Sequence, residues 1–434
     1  MMTLDADVII VGAGPAGSAT ALQLARAGQY VLLLDRHVFP RSKPCGDCLS
    51  AAASDVLRRL GLLERVCALP HAKLRGWRII APDGVWFAAD FTTMAGTTGV
   101  EHALAVERAR LDAALLDAAV DAGAEFRPNT HVRDVLRTTD GGVTGVVTGT
   151  GALRARAVVG ADGLRSIVAT RLGAIRRAPR LRKVSLTARL HAPTVASAVG
   201  EMHIGNGVVA GVAAIDPDGR CNVSVVADAT RHGRGVAADP AGFTATALNS
   251  LPGLRERLPS TALGDVPLLA SGPFDRPVHR VIYDGCVLVG DAAGYYDPFT
   301  GQGIHQALRS AELLAPVLLR ALQEPRVMQH LLMPYALHRQ RLLRGAHIVQ
   351  HIVEAIVSRP RLASFAIARL AHAPTFAAAL LGVTAGLYDP VRLLSPHALS
   401  SLLAHVDSPE LMNDDDGGRA VHGRSRTALF PRRR

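Results

Sequence analysis

The run Asp7-Val8-Ile9-Ile10-Val11-Gly12-Ala13-Gly14-Pro15-Ala16-Gly17, answered by Asp35 at the end of the next apolar run, constrains this chain more than any other feature. Consecutive β-branched residues, a glycine-rich turn and an alanine-rich continuation predict a buried strand, a tight turn and a helix. Each glycine has its own task. Gly12 allows the turn, Gly14 carries no Cβ to hold a phosphate off the backbone, and Gly17 lets the helix lie close on the strand. Amides at the helix start, Ala16 among them, then face a pyrophosphate. Asp35 follows Gly17 by 18 residues, where a carboxylate beside Arg36 can accept hydrogen bonds from both hydroxyls of a ribose. A glycine turn without a ligand leaves Asp35 unexplained, so the motif points to a bound dinucleotide.

With 434 residues and 49% hydrophobic content, the chain has core material for two or more domains. Its cysteines, Cys45, Cys48, Cys67, Cys221 and Cys286, are odd in number and scattered, which argues for a reducing cytosol over a disulfide framework. No basic segment leading into a short apolar one opens the chain, so a cytoplasmic location is expected. The formal charge of +11 could suit nucleic acid or an anionic membrane. The arginines are spread out and lack the interleaved aromatics of a stacking platform, so nucleic acid is not an expected partner.

The pattern predicts an α/β fold with an interrupted nucleotide domain. Residues 1–73, 101–183 and 271–330 are expected to form a discontinuous Rossmann-like domain. Residues 74–100 and 184–270 are expected to form an inserted β-sheet substrate layer. Within it, Trp77 to Phe87 reads as two strands about an Asp83-Gly84 turn, and the stretch from Val184 to Leu269 reads as strand-rich. Gly285 to Asp291 resumes the buried parallel strand type. Residues 331–412 read as a helical cap and 413–434 as a disordered charged tail. Ile356 to Leu387 is apolar but broken by Arg359-Pro360, Arg369 and Pro374, so a clean spanning helix of roughly 20 residues is not available. This segment is expected to face the core or the substrate, with peripheral contact to a membrane surface as the second reading.

Five ordered motifs resemble the superfamily of flavin-dependent monooxygenases and geranylgeranyl reductases, with the p-hydroxybenzoate-hydroxylase type of fold. They are Gly12 to Gly17 with Asp35; Arg41-Ser42-Lys43-Pro44-Cys45-Gly46; Arg108 within Glu107 to Asp112; Gly160-Ala161-Asp162-Gly163; and Gly290-Asp291. The resemblance implies FAD as cofactor, with Arg108, Asp162, Gly163, Gly290 and Asp291 among its ligands. It places Cys45 and Gly46 beside the flavin and Pro298 next to the isoalloxazine ring. The Gly301-Gln302-Gly303 turn precedes a helix from Ile304 to Leu319, so backbone N–H groups and the positive helix end should face flavin N1, where charge collects on reduction. Cys45, Pro298, Gly301, Gln302 and Gly303 are therefore the expected catalytic surroundings.

Arg41 and Lys43 are expected on the FAD phosphates. Cys45 and Cys48 have Cys-x-x-Cys spacing, but no second pair completes a zinc site, and no metal is expected. His305, Tyr295 and Tyr296 could touch substrate, although a histidine at a helix start reads first as structural. The resemblance implies an NAD(P)H-dependent monooxygenase that carries oxygen as a flavin C4a-hydroperoxide to an apolar or aromatic small molecule. The alternative is a reductase saturating isoprenoid double bonds. The aromatic Tyr-x-Trp-x-Phe-Pro strand of such reductases is replaced here by Val209 to Pro217, and the Trp-x-Trp-x-Ile signature of flavin halogenases is missing. A prenyl-protein escort scaffold without turnover is disfavoured by the intact cofactor motifs.

Overall fold

The computed structural model describes residues 3–91, 102–258, 263–264 and 266–403. The expected tail from 413 lies outside these residues, as does the expected boundary between residues 100 and 101.

Strand Ala6–Val11 is central in a parallel sheet, between Gly151–Gly160 and Val31–Leu34. Glu125–Arg127 and Cys286–Leu288 extend the sheet in parallel on either side. Both faces of these strands are covered, so the apolar run is continuous instead of alternating. Val8 and Ile10 pack towards helices Pro15–Arg26, Arg108–Asp121 and Gly303–Ala321, while Ile9 and Val11 pack against Val135, Val146 and Val168 on the other side.

A second sheet has seven strands, in the order Leu269–Ser271, Lys183–His191, Arg220–Asp228, Val208–Ala214, Val199–Ile204, Gly76–Ile80, Trp86–Asp90. Its members come from both sides of the nucleotide strands in sequence. The hairpin about Asp83-Gly84 joins it edgewise, pairing Trp77 with Ala89. Period-two alternation sets the two faces. Val223, Val225, Val208 and Ala210 turn outward onto Leu248, Leu251 and Leu254. The other face looks towards helices Met333–Val357, Pro360–Ala371 and Pro374–Thr384.

The stretch from Val184 to Leu269 is strand-rich and also holds two helices, Ala229–Ala238 and Pro240–Asn249, which cover the outer face. Asp228 and Asp239 cap them by accepting from the N–H groups of Thr230 and Gly242, and Pro240 occupies the first helical turn. The Asp239-Pro240 pair is a helix-start signal; the flanking strands masked it.

Candidate active site

A cavity of about 380 Å³ begins beyond the C-terminal end of Ala6–Val11 and runs on between the second sheet and the C-terminal helices. Of the residues singled out from sequence, Gly14, Ala16, Cys45, Gly46, Arg108, Gly163, Asp291, Pro298, Gly301, Gly303 and Ile304 line it. Gly12, Gly17 and Gly290 stand behind that wall as packing points. A Cβ on Gly12 would lie 2.5 Å from the Ala161 carbonyl oxygen, one on Gly17 1.8 Å from the Gly12 oxygen, and one on Gly290 2.8 Å from Ala16 Cβ. Only glycine permits these approaches, which bring the amino-terminal loop and the Gly290 segment into one groove.

Four expected residues have partners within the protein. Arg36 is exposed and donates to His37. Asp35 lies behind the glycine loop, accepting from the backbone N–H groups of Ala13 and His37, each at 2.9 Å. Asp162 turns its carboxylate onto the start of helix Ile167–Arg171, accepting from Ser166 Oγ and the N–H groups of Ile167 and Val168; its left-handed neighbour Gly163 reaches the cavity instead. Gln302 donates to the carbonyls of Val383 and Thr384, tying the start of helix Gly303–Ala321 to the end of Pro374–Thr384.

The groove matches an extended, doubly charged dinucleotide. No side chain caps helix Pro15–Arg26 at Gly14 or helix Gly303–Ala321 at Gln302, and both starts line the cavity, which leaves amide donors and positive dipole ends for an anion. Arg41, near the glycine loop and 3.4 Å from Asp112, keeps a buried Nε with no partner. Half-buried Lys43 has its pKa lowered, by desolvation first and by Arg108 second. Burial also works against charge on Arg108, but Asp112 and the Cys45 side chain beside it hold the guanidinium well above its usual pKa. Arg41, Lys43 and Arg108 would hold the phosphates and the flavin edge, and Asp291 a hydroxyl between them.

The Cys45–Cys48 loop is fixed by a residue that sequence alone did not reveal. Asp47, at φ 57° and with no exposure, accepts from Arg189 Nε at 2.7 Å, Arg189 Nη2 at 2.9 Å, Asn222 Nδ2 at 2.7 Å and the Arg108 backbone N–H at 3.1 Å. Asn222 also donates to the Cys45 carbonyl. The second sheet thus grips the loop that lines the cavity, and burial pushes the Cys48 thiol pKa up.

Across the inner face of that sheet, polarity is graded. Lys183, Ser185, Asn222 and Ser224 line the cavity on one side; Met202, Ile204, Trp77, Ile79 and Phe87 line it on the other. Val353, Ile356, Ile367 and Leu370 close the apolar part from the helices. Lys183 Nζ is 3.2 Å from Asp297 and also donates to Glu354. Tyr295, whose phenol is raised well above its usual pKa by burial and then by Asp291, stands by the loop leading to Pro298.

The arrangement is that of a flavoprotein whose dinucleotide groove opens directly onto a second, largely apolar chamber. Residues 5–351 match the FAD binding domain family, and the chain belongs to that family: it is an FAD-dependent oxidoreductase. It is 30% identical over 328 residues to the menaquinone reductase of Mycolicibacterium smegmatis, a match covering 73% of this chain and 77% of that protein. It is 29% identical to conditioned medium factor receptor 1 of Dictyostelium discoideum, where the match covers 73% of this chain and 64% of the receptor. Among solved structures, a geranylgeranyl bacteriochlorophyll reductase-like protein of Thermoplasma acidophilum superposes with TM-score 0.74 at 21% identity, covering 92% and 98% of the two chains. PqsL of Pseudomonas aeruginosa, in complex with 2-aminobenzoylacetate, superposes with TM-score 0.70 at 22% identity, covering 82% and 98%. These two likenesses establish the shared fold.

Proposed function

We propose that this chain saturates a carbon–carbon double bond of a long apolar, isoprenoid-like acceptor, with NAD(P)H as reductant. The observation that carries this reading is the graded chamber, whose polar side adjoins Asp297 and Pro298 and whose apolar side runs under the C-terminal helices. The likeness to menaquinone reductase supports it. When bound, FAD supplies the two-electron chemistry that links the nicotinamide to the acceptor. The chain's own part is positional. The uncapped start of helix Gly303–Ala321 favours negative charge beside it, the Asp47 network holds the Cys45 loop, and the apolar helices exclude water from the reacting bond.

Oxygenation is the second reading, favoured by one feature: the small residues Val209, Gly211 and Ala213 line the chamber, where the reductases that the sequence resembles carry an aromatic strand. The two separate in one experiment. Anaerobic incubation with NADPH and an isoprenoid quinone, followed by reoxidation of any quinol to quinone, should yield a quinone heavier by two hydrogens in its isoprenoid tail, read by mass spectrometry. A product that requires dioxygen and carries one atom of it would make oxygenation the reaction.

Access to such an acceptor is proposed from a lipid surface. Among the described residues no single helix is long and apolar enough to cross a membrane, and Pro360–Ala371 and Pro374–Thr384 are bent against each other by 115°. The solvent side of Met333–Val357 exposes Leu337, Arg341, Arg344, Ile348 and Ile352, spaced three and four residues apart on one face. Arg359, Arg361, Leu362 and Phe365 follow, also exposed. Apolar side chains flanked by arginines fit an anionic bilayer surface, and the opposite side of the same helices lines the chamber.

A further inference from the structure

The charged side chains of the cavity fall into two sets. Lys43, Arg108 and Asp291 stand at the dinucleotide end, and Lys183 and Asp297 stand in the acceptor chamber. Lys183 is the sole cation among the described residues lining that chamber, and it is already engaged: its ammonium lies 3.2 Å from Asp297 Oδ2 and donates to Glu354 Oε2. The three side chains are 14%, 4% and 10% exposed, so solvent does little to screen them. Two carboxylates share one cation. Burial, together with nearby Asp297 and against the pull of Lys183, raises the pKa of Glu354, which leaves the cluster neutral to negative and without spare positive charge. The rest of the polar wall offers the hydroxyl of Ser185 and an acceptor position on Ser224 Oγ; Ser224 Oγ itself donates to Asn222 Oδ1, and the Asn222 N–H groups are held by Asp47 and the Cys45 carbonyl.

We infer that the acceptor's polar end is an uncharged oxygen function, a carbonyl or a hydroxyl, seated against Ser185, Ser224 and the Lys183–Asp297–Glu354 cluster, and that phosphorylated or carboxylated heads are rejected there. This deepens the proposed function and rests on its reading of the chamber as the acceptor site. The physical ground is desolvation. A phosphate entering this chamber gives up its hydration and meets an ammonium that two carboxylates already claim, with no bidentate arginine to receive it. A neutral oxygen loses far less hydration and needs one or two hydrogen bonds, which the Ser185 hydroxyl can donate and Ser224 Oγ can accept.

The test is equilibrium dialysis of the oxidised, FAD-loaded protein against labelled farnesol and farnesyl monophosphate, the same chain with two heads, each below its aggregation threshold. The alcohol should bind at least roughly tenfold more tightly. Glu354→Gln, with folding checked by its flavin spectrum and circular dichroism, removes one claim on Lys183 and should strengthen phosphate binding and narrow the preference for the alcohol; Asp297→Asn is the second variant with the same expected direction. Equal or tighter binding of the phosphate by the unmodified protein overturns the inference and spares the proposed function, and that comparison needs no variant. Phosphate affinity unchanged in both folded variants also overturns it. If neither ligand binds, the chamber is not an acceptor site and the proposed function falls with it.

Discussion

Asp47 shows how much one buried carboxylate can determine. Its two oxygens receive donors from Arg189, Asn222 and the Arg108 backbone, so three separated segments meet on a single side chain. Asp47→Ala would strand the Arg189 guanidinium, which is 9% exposed. Losing one member of a buried ion pair costs about 3 kcal/mol or more. Urea unfolding should show a loss of that size, and FAD should be released more readily from the folded variant; an unchanged midpoint would remove the network from the list of what holds the loop. Gly17→Ala acts differently, because a Cβ 1.8 Å from the Gly12 oxygen forces the glycine loop apart. The expected product is a folded but colourless protein, judged by absorbance near the flavin band together with circular dichroism. The glycine motif was legible because its constraint is local: a tight turn and a close approach lie within six residues. The roles of Asp47 and Glu354 were not legible, since each depends on partners more than a hundred residues away. Lys183 did leave a trace. An arginine-rich chain with lysine only at 43, 73 and 183 puts two of those three on the cavity wall, where a compact ammonium serves differently from a forked guanidinium.

Among the elements, helix Gly303–Ala321 does the most to join cofactor groove and acceptor chamber. Its apolar stripe, Leu308, Ala311, Leu314 and Leu318, is buried against the nucleotide core, which fixes where its uncapped start points. Sequence foretold the helix and its glycine entry, with the backbone of Gln302 in the turn, but assigned nothing to the Gln302 side chain. The structure gives that side chain to the C-terminal helices, a long-range contact that no local pattern encodes. His305, in the first turn, packs under Gly386, where an added Cβ would come within 2.9 Å of the ring. Burial first, and then Arg309 and Arg59, lowers its pKa to about 4 from the ordinary 6.5. The folded protein therefore resists protonating a group that the unfolded chain protonates readily. Stability from this source is complete above about pH 6.5, declines as pH falls towards 4, and is gone below it, a change on the order of 3 kcal/mol. Urea midpoints at pH 7.5 and pH 5 should differ more for the unmodified protein than for His305→Gln; identical differences would assign the acid sensitivity to other groups.

At the scale of the whole molecule, two sheets share one cavity because the chain leaves the nucleotide sheet after Val31–Leu34, contributes the hairpin about Asp83-Gly84 to the second sheet, returns for Glu125–Arg127 and Gly151–Gly160, and leaves again. The interruption was visible as a switch from buried apolar runs to alternating ones and back. The outer helices at Ala229–Asn249 were not, because their apolar faces are short and lie between strong strand signals. The C-terminal helices carry the remaining question of how an apolar acceptor arrives. Their inner side closes the chamber through Val353, Ile356 and Ile367, while Ile348 and Ile352 are each 55% exposed and Phe365 is 70% exposed. Exposed apolar residues cost solubility unless something covers them, and the neighbouring Arg341, Arg344, Arg359 and Arg361 suit an anionic lipid surface, where each basic residue contributes about 1 kcal/mol at low salt. The holoprotein should therefore sediment with vesicles containing phosphatidylglycerol and much less with pure phosphatidylcholine, and binding should fall as salt shortens the screening length. Ile352→Glu with Phe365→Glu should abolish sedimentation while leaving bound FAD and saturation of a short, water-soluble isoprenoid in place, since both side chains face away from the chamber. Sedimentation that survives the double variant, or that ignores lipid charge, would mean the acceptor enters by another face.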